Sequence, residues 1–252
     1  TYKIVTAFAA LEEEIVNEDN TVYCPGHYRY GNRTYRCWNR RGHGTVSMVD
    51  ALAKSCDVYF FQVGEKVGVD RLARYAKACG LGRATGVELD NEASGLVPTA
   101  SWKLKKVGVP WQAGETLSLA IGQGFNLVTP IQMACLVAAV GNGGTLFKPQ
   151  IVQKVQSSDG STIKVVEPEP SVTHPDAILE DLFPLAAEAD YPIAVVDENG
   201  HVLERRHLKI ERLISPAKAF MITSLLRGVV ENGTGRTLGN KGISWPVAAK
   251  TG

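Results

Sequence analysis

The stretch that decides the fold lies at residues 47–64 and reads SMVDALAKSCDVYFFQVG. Its apolar residues recur three and four positions apart, which predicts one continuous helix that buries a single face and ends at Gly64. The same signals predict a second helix from Val69 to Cys79, ended by Gly80. Two consecutive helices with apolar faces indicate a mostly helical block in the first half of the chain.

Helical spacing also occurs on both sides of this block. Residues 1–16 are predicted to form a helix, whereas residues 17–46 show little periodicity and are predicted to form a long loop that needs a cross-link to hold it. Further on, Thr129 and Pro130 start a helix with proline in its first turn. We therefore expect a helical subdomain over residues of about 17–144.

Strands are predicted after residue 145. Alternating residues flank two turn sequences, Ser-Asp-Gly at 158–160 and Glu-Asn-Gly at 198–200, which predicts two β-hairpins. A last helix is predicted to begin at Ser215, and residues 247–252 are predicted to form a strand. This order predicts an α/β (α+β) fold, with an antiparallel sheet flanked by helices over about 145–252 beside the helical subdomain.

Charge and composition exclude several classes of function. Lys and Arg total 27 against 26 for Asp and Glu, so the chain lacks the basic excess of a nucleic-acid binder, and no nucleic-acid partner is expected. The hydrophobic fraction of 44% supports a sizeable core. There is no apolar run of about 18 residues. Because the first helix starts without a capping residue, we expect a segment of a longer protein whose membrane anchor lies elsewhere.

Three short motifs could together support acyl transfer by a serine nucleophile. A lysine can take the proton of a serine, a second serine can return a proton to the leaving amine, and a lysine with a threonine can hold a carboxylate. The motifs are Lys3, Ser55-Cys56-Asp57 and Lys250-Thr251-Gly252. Alone, each motif is more often an ordinary surface feature, but their order and spacing are typical of penicillin-recognising serine enzymes.

Four longer stretches accompany these motifs: RGHG at 41–44, AKSCDVYF at 53–60, GQG at 122–124 and TPIQMA at 129–134. Together they resemble the penicillin-binding protein 2 family of class B transpeptidases. The similarity covers residues 1 to about 155 and 215–252, whereas residues 191–235 are more similar to bifunctional class A enzymes.

The resemblance implies a penicillin-binding, serine β-lactamase-like transpeptidase fold and a role for each motif residue. A nucleophilic serine is expected immediately before Thr1. Lys3 corresponds to the base, Ser55 to the proton shuttle, and Asp57 to the residue that hydrogen-bonds the shuttle and the substrate amide. The remaining motif is expected to bind the substrate carboxylate through Lys250, Thr251 and Gly252.

The activity that the resemblance implies is a peptidoglycan D,D-transpeptidase with no catalytic cofactor. It would cross-link stem peptides through a serine acyl-enzyme and be acylated by β-lactam antibiotics. A membrane glycosyltransferase and elongation-complex proteins are the expected partners, at the periplasmic face of the inner membrane. Two alternatives stay open: a β-lactam sensor or scaffold that does not cross-link, and a β-lactamase, which is disfavoured because no second base for deacylation stands out.

The chain contains five cysteines, an odd number for a set of disulfides. Cys79 lies at the end of a predicted helix and Cys135 within an apolar one. Both are predicted to be small buried hydrophobic residues.

The other three cysteines occur with a histidine across the long loop and the adjoining helix. Three thiolates and one imidazole form a closed tetrahedral zinc site, which would supply the cross-link that the loop needs. The alternatives are a Cys24–Cys37 disulfide, or His27 in place of His43 as the imidazole ligand. The predicted structural zinc ligands are Cys24, Cys37, His43 and Cys56.

The predicted zinc site adjoins the second catalytic motif. Adjacent residues of a helix point about 100° apart, so Cys56 can face the loop while Ser55 faces the active-site cleft. The resemblance adds that some penicillin-binding protein 2 relatives hold zinc with acidic residues at the positions of Cys24 and Cys37. A metal here would orient the catalytic helix without touching substrate.

Overall fold

The computed structural model describes residues 1–17, 20–171, 189–196, 202–210, 220–224, 226–227 and 234. Its helices are α1 (Lys3–Glu12), α2 (Met48–Ala53), α3 (Asp57–Val67), α4 (Val69–Ala78), α5 (Ala100–Val107), α6 (Ala113–Ala120) and α7 (Pro130–Gly141). Its strands are β1 (Val22–Cys24), β2 (His27–Tyr30), β3 (Arg33–Arg36), β4 (Gly44–Val46), β5 (Lys154–Gln156), β6 (Thr162–Val165), β7 (Ala189–Val196) and β8 (Val202–Ile210).

A helical core, made by α1, α3, α4 and α6, occupies the centre of the described structure. Helix α1 is buried from Lys3 to Leu11, which explains why its sequence is apolar on every side. Its Phe8 ring meets Tyr75 of α4 edge to face, with ring centroids 5.2 Å apart. Helix α3 approaches α6 closely because Gly64 has no side chain: a Cβ there would lie 2.2 Å from the Cβ of Ala120.

The single helix predicted over 47–64 is wrong, because a turn at residues 54–56 divides it into α2 and α3. Ser55 takes the left-handed backbone conformation, with φ of 53°. The carbonyls released by this break do not go unsatisfied. The indole of Trp38 donates to those of Lys54 and Ser55, at 3.0 and 3.1 Å, so tertiary contacts replace the helical hydrogen bonds. We call residues 54–56 the catalytic turn, after the predicted role of Ser55.

The prediction of an irregular loop over 17–46 is also wrong, since this segment forms two antiparallel strand pairs. Strand β1 pairs with β4, with Cys24 opposite Gly44. Strand β2 pairs with β3, with His27 opposite Arg36. Strands of three or four residues give too few alternations to be recognised by periodicity alone. We call residues 21–46 the cysteine loop.

Other predicted elements are confirmed. Helix α4 ends at Ala78 with Cys79 as its C-cap, and α7 is capped by Thr129, whose hydroxyl accepts from the Gln132 backbone at 3.3 Å. Both hairpins form, β5 with β6 and β7 with β8. Residues 220–224 are helical, as predicted, whereas Ser215 and residues 247–252 lie outside the described residues. The first helix ends at Glu12 rather than at residue 16.

The division of the chain at residue 144 stays a prediction. No described helix combines the length and the apolar character needed to cross a bilayer.

Candidate active site

A cavity of about 650 Å³ opens where the start of α1, the catalytic turn, strand β3 and the end of α6 meet. The predicted residues Lys3, Ser55 and Asp57 all contribute to its wall, although more than fifty positions separate the first from the other two. Folding has therefore brought the first two motifs together. The wall is formed by Thr1, Lys3, Thr34, Tyr35, Arg36, Cys37, Trp38, Arg40, Ser55, Asp57, Phe61, Ser118, Ile121, Gln123 and Thr234.

Lys3 is the centre of the site. It is the first residue of α1 and only 6% exposed, so its ammonium group depends on protein partners rather than on water. The Nζ atom donates to the Ser55 carbonyl at 2.8 Å, to Ser55 Oγ at 3.0 Å and to Asp57 Oδ1 at 2.7 Å. These three bonds use all the donors of a lysine. The amine is thereby held in contact with one hydroxyl and one carboxylate.

Asp57 holds this lysine from the first turn of α3, where the positive end of the helix dipole favours a carboxylate. Its two oxygens have different partners. Oδ1 is paired with Lys3, and Oδ2 accepts the backbone N–H of Trp38 at 2.8 Å. Asp57 thus joins the helical core to the cysteine loop.

Trp38 was not singled out from the sequence as a functional residue. Its side chain is 56% exposed, yet its indole N–H is fixed on the carbonyls of Lys54 and Ser55. Its ring lies 5.4 Å from that of His43, centroid to centroid. The sequence signal that could have identified Trp38 is its position directly after Cys37, which puts an indole N–H donor beside a predicted zinc ligand. Trp38 positions the catalytic turn from the loop side.

The four predicted zinc ligands form one group, which we call the cysteine cluster: Cys24, Cys37, His43 and Cys56. All four ligand atoms lie within 4.8 Å of one another. The Nδ1 atom of His43 is 3.6 Å from the sulfur of Cys24 and 3.6 Å from that of Cys37. A tetrahedral zinc with Zn–S of about 2.3 Å and Zn–N of about 2.0 Å has a sulfur–nitrogen edge of roughly 3.6 Å. The donor set and its spacing therefore fit zinc.

The strand pairs of the cysteine loop assemble this cluster. Cys24 ends β1 and accepts the backbone N–H of His43 at 3.0 Å, while Cys37 follows β3 and donates its backbone N–H to Gly26 at 2.9 Å. Two chain segments cross so closely here that only glycine fits. With φ of 92° at Gly26 and 82° at Gly42, a Cβ on either would lie 2.3 Å from a backbone oxygen.

The thiols of the cluster are unequal before any metal binds. The Cys56 thiol donates a hydrogen bond to the Cys37 sulfur, which lowers the pKa of Cys37 to about 5 and raises the pKa of Cys56. Cys24 and Cys37 are free, so the structure does not carry the alternative disulfide. His27 lies exposed on β2 and is not a member of the cluster.

The remaining cysteines lie away from the cluster. Cys79 is buried, and desolvation raises its pKa to about 12, in agreement with its prediction as a small hydrophobic residue. Cys135 is only half-buried.

Ser55 and Cys56 do face opposite ways, but not for the reason predicted. They belong to a turn rather than to one helix. Ser55 is turned towards Lys3 by its left-handed backbone, while Cys56 is the extended N-cap of α3 and points into the cluster. The third motif, Lys250, Thr251 and Gly252, lies outside the described residues, so its role in binding a carboxylate stays a prediction.

Comparison with known proteins gives consistent matches. Residues 1–252 match the family model of the penicillin binding protein transpeptidase domain. Peptidoglycan D,D-transpeptidase MrdA of Haemophilus influenzae is 34% identical over 179 residues, 70% of this chain and 27% of that protein. Stage V sporulation protein D of Bacillus subtilis is 36% identical over 182 residues, 72% of this chain and 26% of that protein. The chain thus spans about a quarter of these relatives.

Solved structures show the same fold. A Pseudomonas aeruginosa PBP2 structure in complex with WCK 5153 has a TM-score of 0.73 and 29% identity, covering 100% of this chain and 48% of that one. PBP2 of Helicobacter pylori, in a complex with MreC, has a TM-score of 0.72 and 25% identity, covering 99% of this chain and 38% of that one.

Proposed function

The chain belongs to the penicillin-binding protein transpeptidase family, as a class B domain of the penicillin-binding protein 2 type, and on this basis we propose that it cross-links peptidoglycan stem peptides and is acylated by β-lactams. One observation carries the proposal. Lys3 Nζ lies 3.0 Å from Ser55 Oγ and 2.7 Å from Asp57 Oδ1 at the wall of a cavity large enough for a small ligand.

The proposed nucleophile is a serine immediately before Thr1. Such a residue precedes Lys3 by three positions, just ahead of the N-terminus of α1, and Thr1 beside it lines the cavity. Once Lys3 has lost one of its three protons, its neutral amine can take the serine proton as the oxygen attacks the carbonyl carbon between the two D-Ala residues. A tetrahedral intermediate forms and then collapses, breaking the peptide bond.

Ser55 is proposed to complete the proton transfer. Its Oγ accepts a hydrogen bond from Lys3, so a proton on the lysine can pass through the hydroxyl to the nitrogen of the departing D-Ala. The amine of a second stem peptide then attacks the acyl-enzyme, and the same groups return the proton to the serine oxygen. Lys250 and Thr251 would anchor the carboxylate of the first peptide.

We also propose that the cysteine cluster binds one structural zinc ion. The closed set of three sulfurs and one nitrogen supports this role, since such sites leave no open position for substrate. When bound, zinc would cross-link β1, the end of β3 and the start of α3. The metal takes no part in the reaction, and Cys56 would transmit its effect by fixing the residue next to Ser55.

The proposed setting follows from what the relatives do. The Helicobacter pylori structure pairs PBP2 with MreC, and a structural relative with 29% identity is part of a peptidoglycan synthase complex. We propose that this chain likewise works with elongation proteins and a membrane glycosyltransferase, at the periplasmic face of the inner membrane.

Fluorescent penicillin tests the proposed activity. The full-length protein should form a covalent adduct, and mass spectrometry of the digested adduct should place it on a serine one residue before Thr1. Absence of an adduct contradicts the proposal. Rapid loss of the adduct would indicate a β-lactamase instead, and a stable adduct without cross-linked product from stem peptides would indicate a sensor.

Metal analysis tests the zinc site separately. Elemental analysis of the purified protein should find about one zinc per chain. A chelator that removes it should lower the melting temperature and the penicillin acylation rate together, because the loop positions the catalytic turn. A protein free of zinc, or a melting temperature indifferent to chelation, contradicts a structural metal.

A further inference from the structure

The segment that forms the cysteine loop is strongly basic. Between Thr21 and Val46 the sequence has five arginines and two histidines but no aspartate or glutamate, whereas the whole chain has a net charge of +1. Within this segment, no acidic residue compensates the positive charge. This concentration is not explained by the cysteine cluster, which uses one of the two histidines and none of the arginines.

The β2–β3 hairpin sorts this segment into two faces. Cross-strand partners share a face of an antiparallel pair, so two pairs, His27–Arg36 and Arg29–Thr34, lie together on the outward face. All four of these side chains are exposed. The opposite face packs against the helical core through Tyr28, Tyr30 and Tyr35.

The outward side chains line an open groove of about 570 Å³, together with Gly26 and Arg40. Arg40 comes from the next turn of the chain and is held at the foot of the hairpin, because its carbonyl abuts Gly26. The groove adjoins the active-site cavity, since Thr34, Arg36 and Arg40 contribute to both. We call it the basic groove.

The arginines of the basic groove lack an anion in the described part of the chain. No described carboxylate or other acceptor pairs with the guanidinium groups of Arg29, Arg36 and Arg40. Like charges gathered without a counter-charge repel one another, and an arriving anion relieves that repulsion. Arginine also presents a rigid fork of donors that matches a carboxylate with two parallel hydrogen bonds.

We propose that the basic groove binds carboxylates of the peptide substrate upstream of its D-Ala-D-Ala end. The proposal rests on the transpeptidase function and extends it to a second point of substrate recognition. A peptide whose scissile bond lies at Lys3 can continue past Arg36 into the groove without leaving the protein surface, because the two spaces share a wall. Acidic stem peptides would then bind in preference to neutral ones.

The test compares two arginine substitutions on the same hairpin. Arg29 lines the basic groove but not the active-site cavity, so Arg29→Gln probes the groove without altering that cavity. Arg33→Gln is the matched control: it removes the same charge four residues away, on the face of Tyr30 and outside both cavities. A melting temperature equal to that of the parent in each variant would establish that both variants fold as the parent does.

The probes are two fluorescent peptides that end in D-Ala-D-Ala, one with two upstream glutamates and one with glutamines there. Fluorescence anisotropy with the full-length protein should show the acidic peptide binding about tenfold more tightly. Arg29→Gln should remove roughly that tenfold preference, and Arg33→Gln should change it by less than about twofold.

Several outcomes would overturn the basic groove as a peptide site. Equal affinity of the parent for both peptides would do so. An equal loss of the acidic-peptide preference in the two variants would do so as well, because it would indicate that the peptide responds to the overall positive potential of the hairpin. If Arg29→Gln instead abolishes binding to vesicles containing phosphatidylglycerol and leaves the peptide preference intact, the groove binds lipid. Penicillin acylation of the parent reports the proposed function separately, so failed peptide discrimination with intact acylation rejects the groove alone.

Discussion

The helical core and the cysteine loop meet at the catalytic turn, but different forces hold each of them. The core is maintained by apolar packing around α1 and α3, where Ile4, Phe8 and Phe60 are almost fully buried. The loop has strands of three or four residues, and most of its side chains are exposed. Its buried centre is the cysteine cluster. We therefore expect the core to form without a metal, whereas the loop should depend on the proposed zinc cross-link.

This difference matters because Ser55 is fixed from both sides. Lys3 holds it from the core, while Trp38 and Cys56 hold the same turn from the loop. Damage to either side should move the hydroxyl, but each should leave its own signature. Variants of the core packing should lose stability and keep metal, whereas variants of the cysteine cluster should lose both.

The largest expected effect comes from Lys3→Arg, which removes the proposed base from the helical core and keeps a positive charge at residue 3. Acylation by penicillin should slow by about 10²–10⁴-fold, because a guanidinium does not give up a proton to become a base. Stopped-flow kinetics with fluorescent penicillin measure this rate. The exposed Lys77 offers a matched control, and Lys77→Arg should acylate normally. A Lys3→Arg protein that acylates at the parent rate would remove lysine from the role of base.

The next largest effect is expected on stability and metal content, when a buried cysteine of the cysteine cluster and one of the helical core are each replaced. Cys56→Ser should release zinc and destabilise the protein by about 4 kcal/mol, or roughly 8–16 °C in melting temperature. Cys79→Ala, in the core, should cost about 1 kcal/mol and retain the metal. Calorimetry with elemental analysis provides both readouts. Similar melting temperatures and metal contents in the two variants would refute the distinction between core and loop.

A smaller effect is expected where α3 meets α6. Gly64→Ala places a methyl group 2.2 Å from the Cβ of Ala120, so the helices must separate, at a cost of about 1–3 kcal/mol. Gly141→Ala is the control, because no atom of the described residues lies within 4 Å of a Cβ at that end of α7. It should be neutral or stabilise by up to about 1 kcal/mol. Denaturant unfolding measures both, and loss of zinc from Gly64→Ala would show that the core and the loop are not independent.

The smallest effect should come from Trp38→Phe. The substitution removes the indole N–H from two carbonyls of the catalytic turn and keeps an aromatic ring beside His43. Acylation should slow by about 3–10-fold, the value of roughly one hydrogen bond, with zinc retained. Tyr23→Phe, which alters an exposed ring of the same loop, should have no effect. If Trp38→Phe acylates at the normal rate, the indole is not needed to position the catalytic turn, and only the backbone N–H of residue 38, which binds Asp57, would contribute.

The elements that could be predicted from the sequence are those with strong local signals. Helix α7 has a capping box and a proline, α4 has a clear apolar face, and the hairpin at residues 158–160 has a turn sequence of known geometry. These signals act within a few residues. Tertiary structure therefore had little to override.

The catalytic turn could not be predicted in the same way. The apolar spacing of 47–64 continues across it, so the local pattern favours an unbroken helix. What ends α2 is a set of donors distant in sequence, the indole of Trp38 and the amine of Lys3, which satisfy the carbonyls that the break exposes. The motif residues were identified from order and spacing, but Trp38 acts through backbone carbonyls, and nothing in the motif marks it.

The adjacency of Ser55 and Cys56 restricts how this chain can change in evolution. One peptide bond separates the proposed shuttle from the proposed metal ligand, so any insertion or deletion between residues 54 and 57 displaces both at once. The proposed ligand Cys24 ends β1 and the proposed ligand Cys37 directly follows β3, and other donors could replace them one at a time. Descendants of this chain can therefore change the donor residues of the cysteine loop, whereas we expect the length of the catalytic turn to be inherited unchanged.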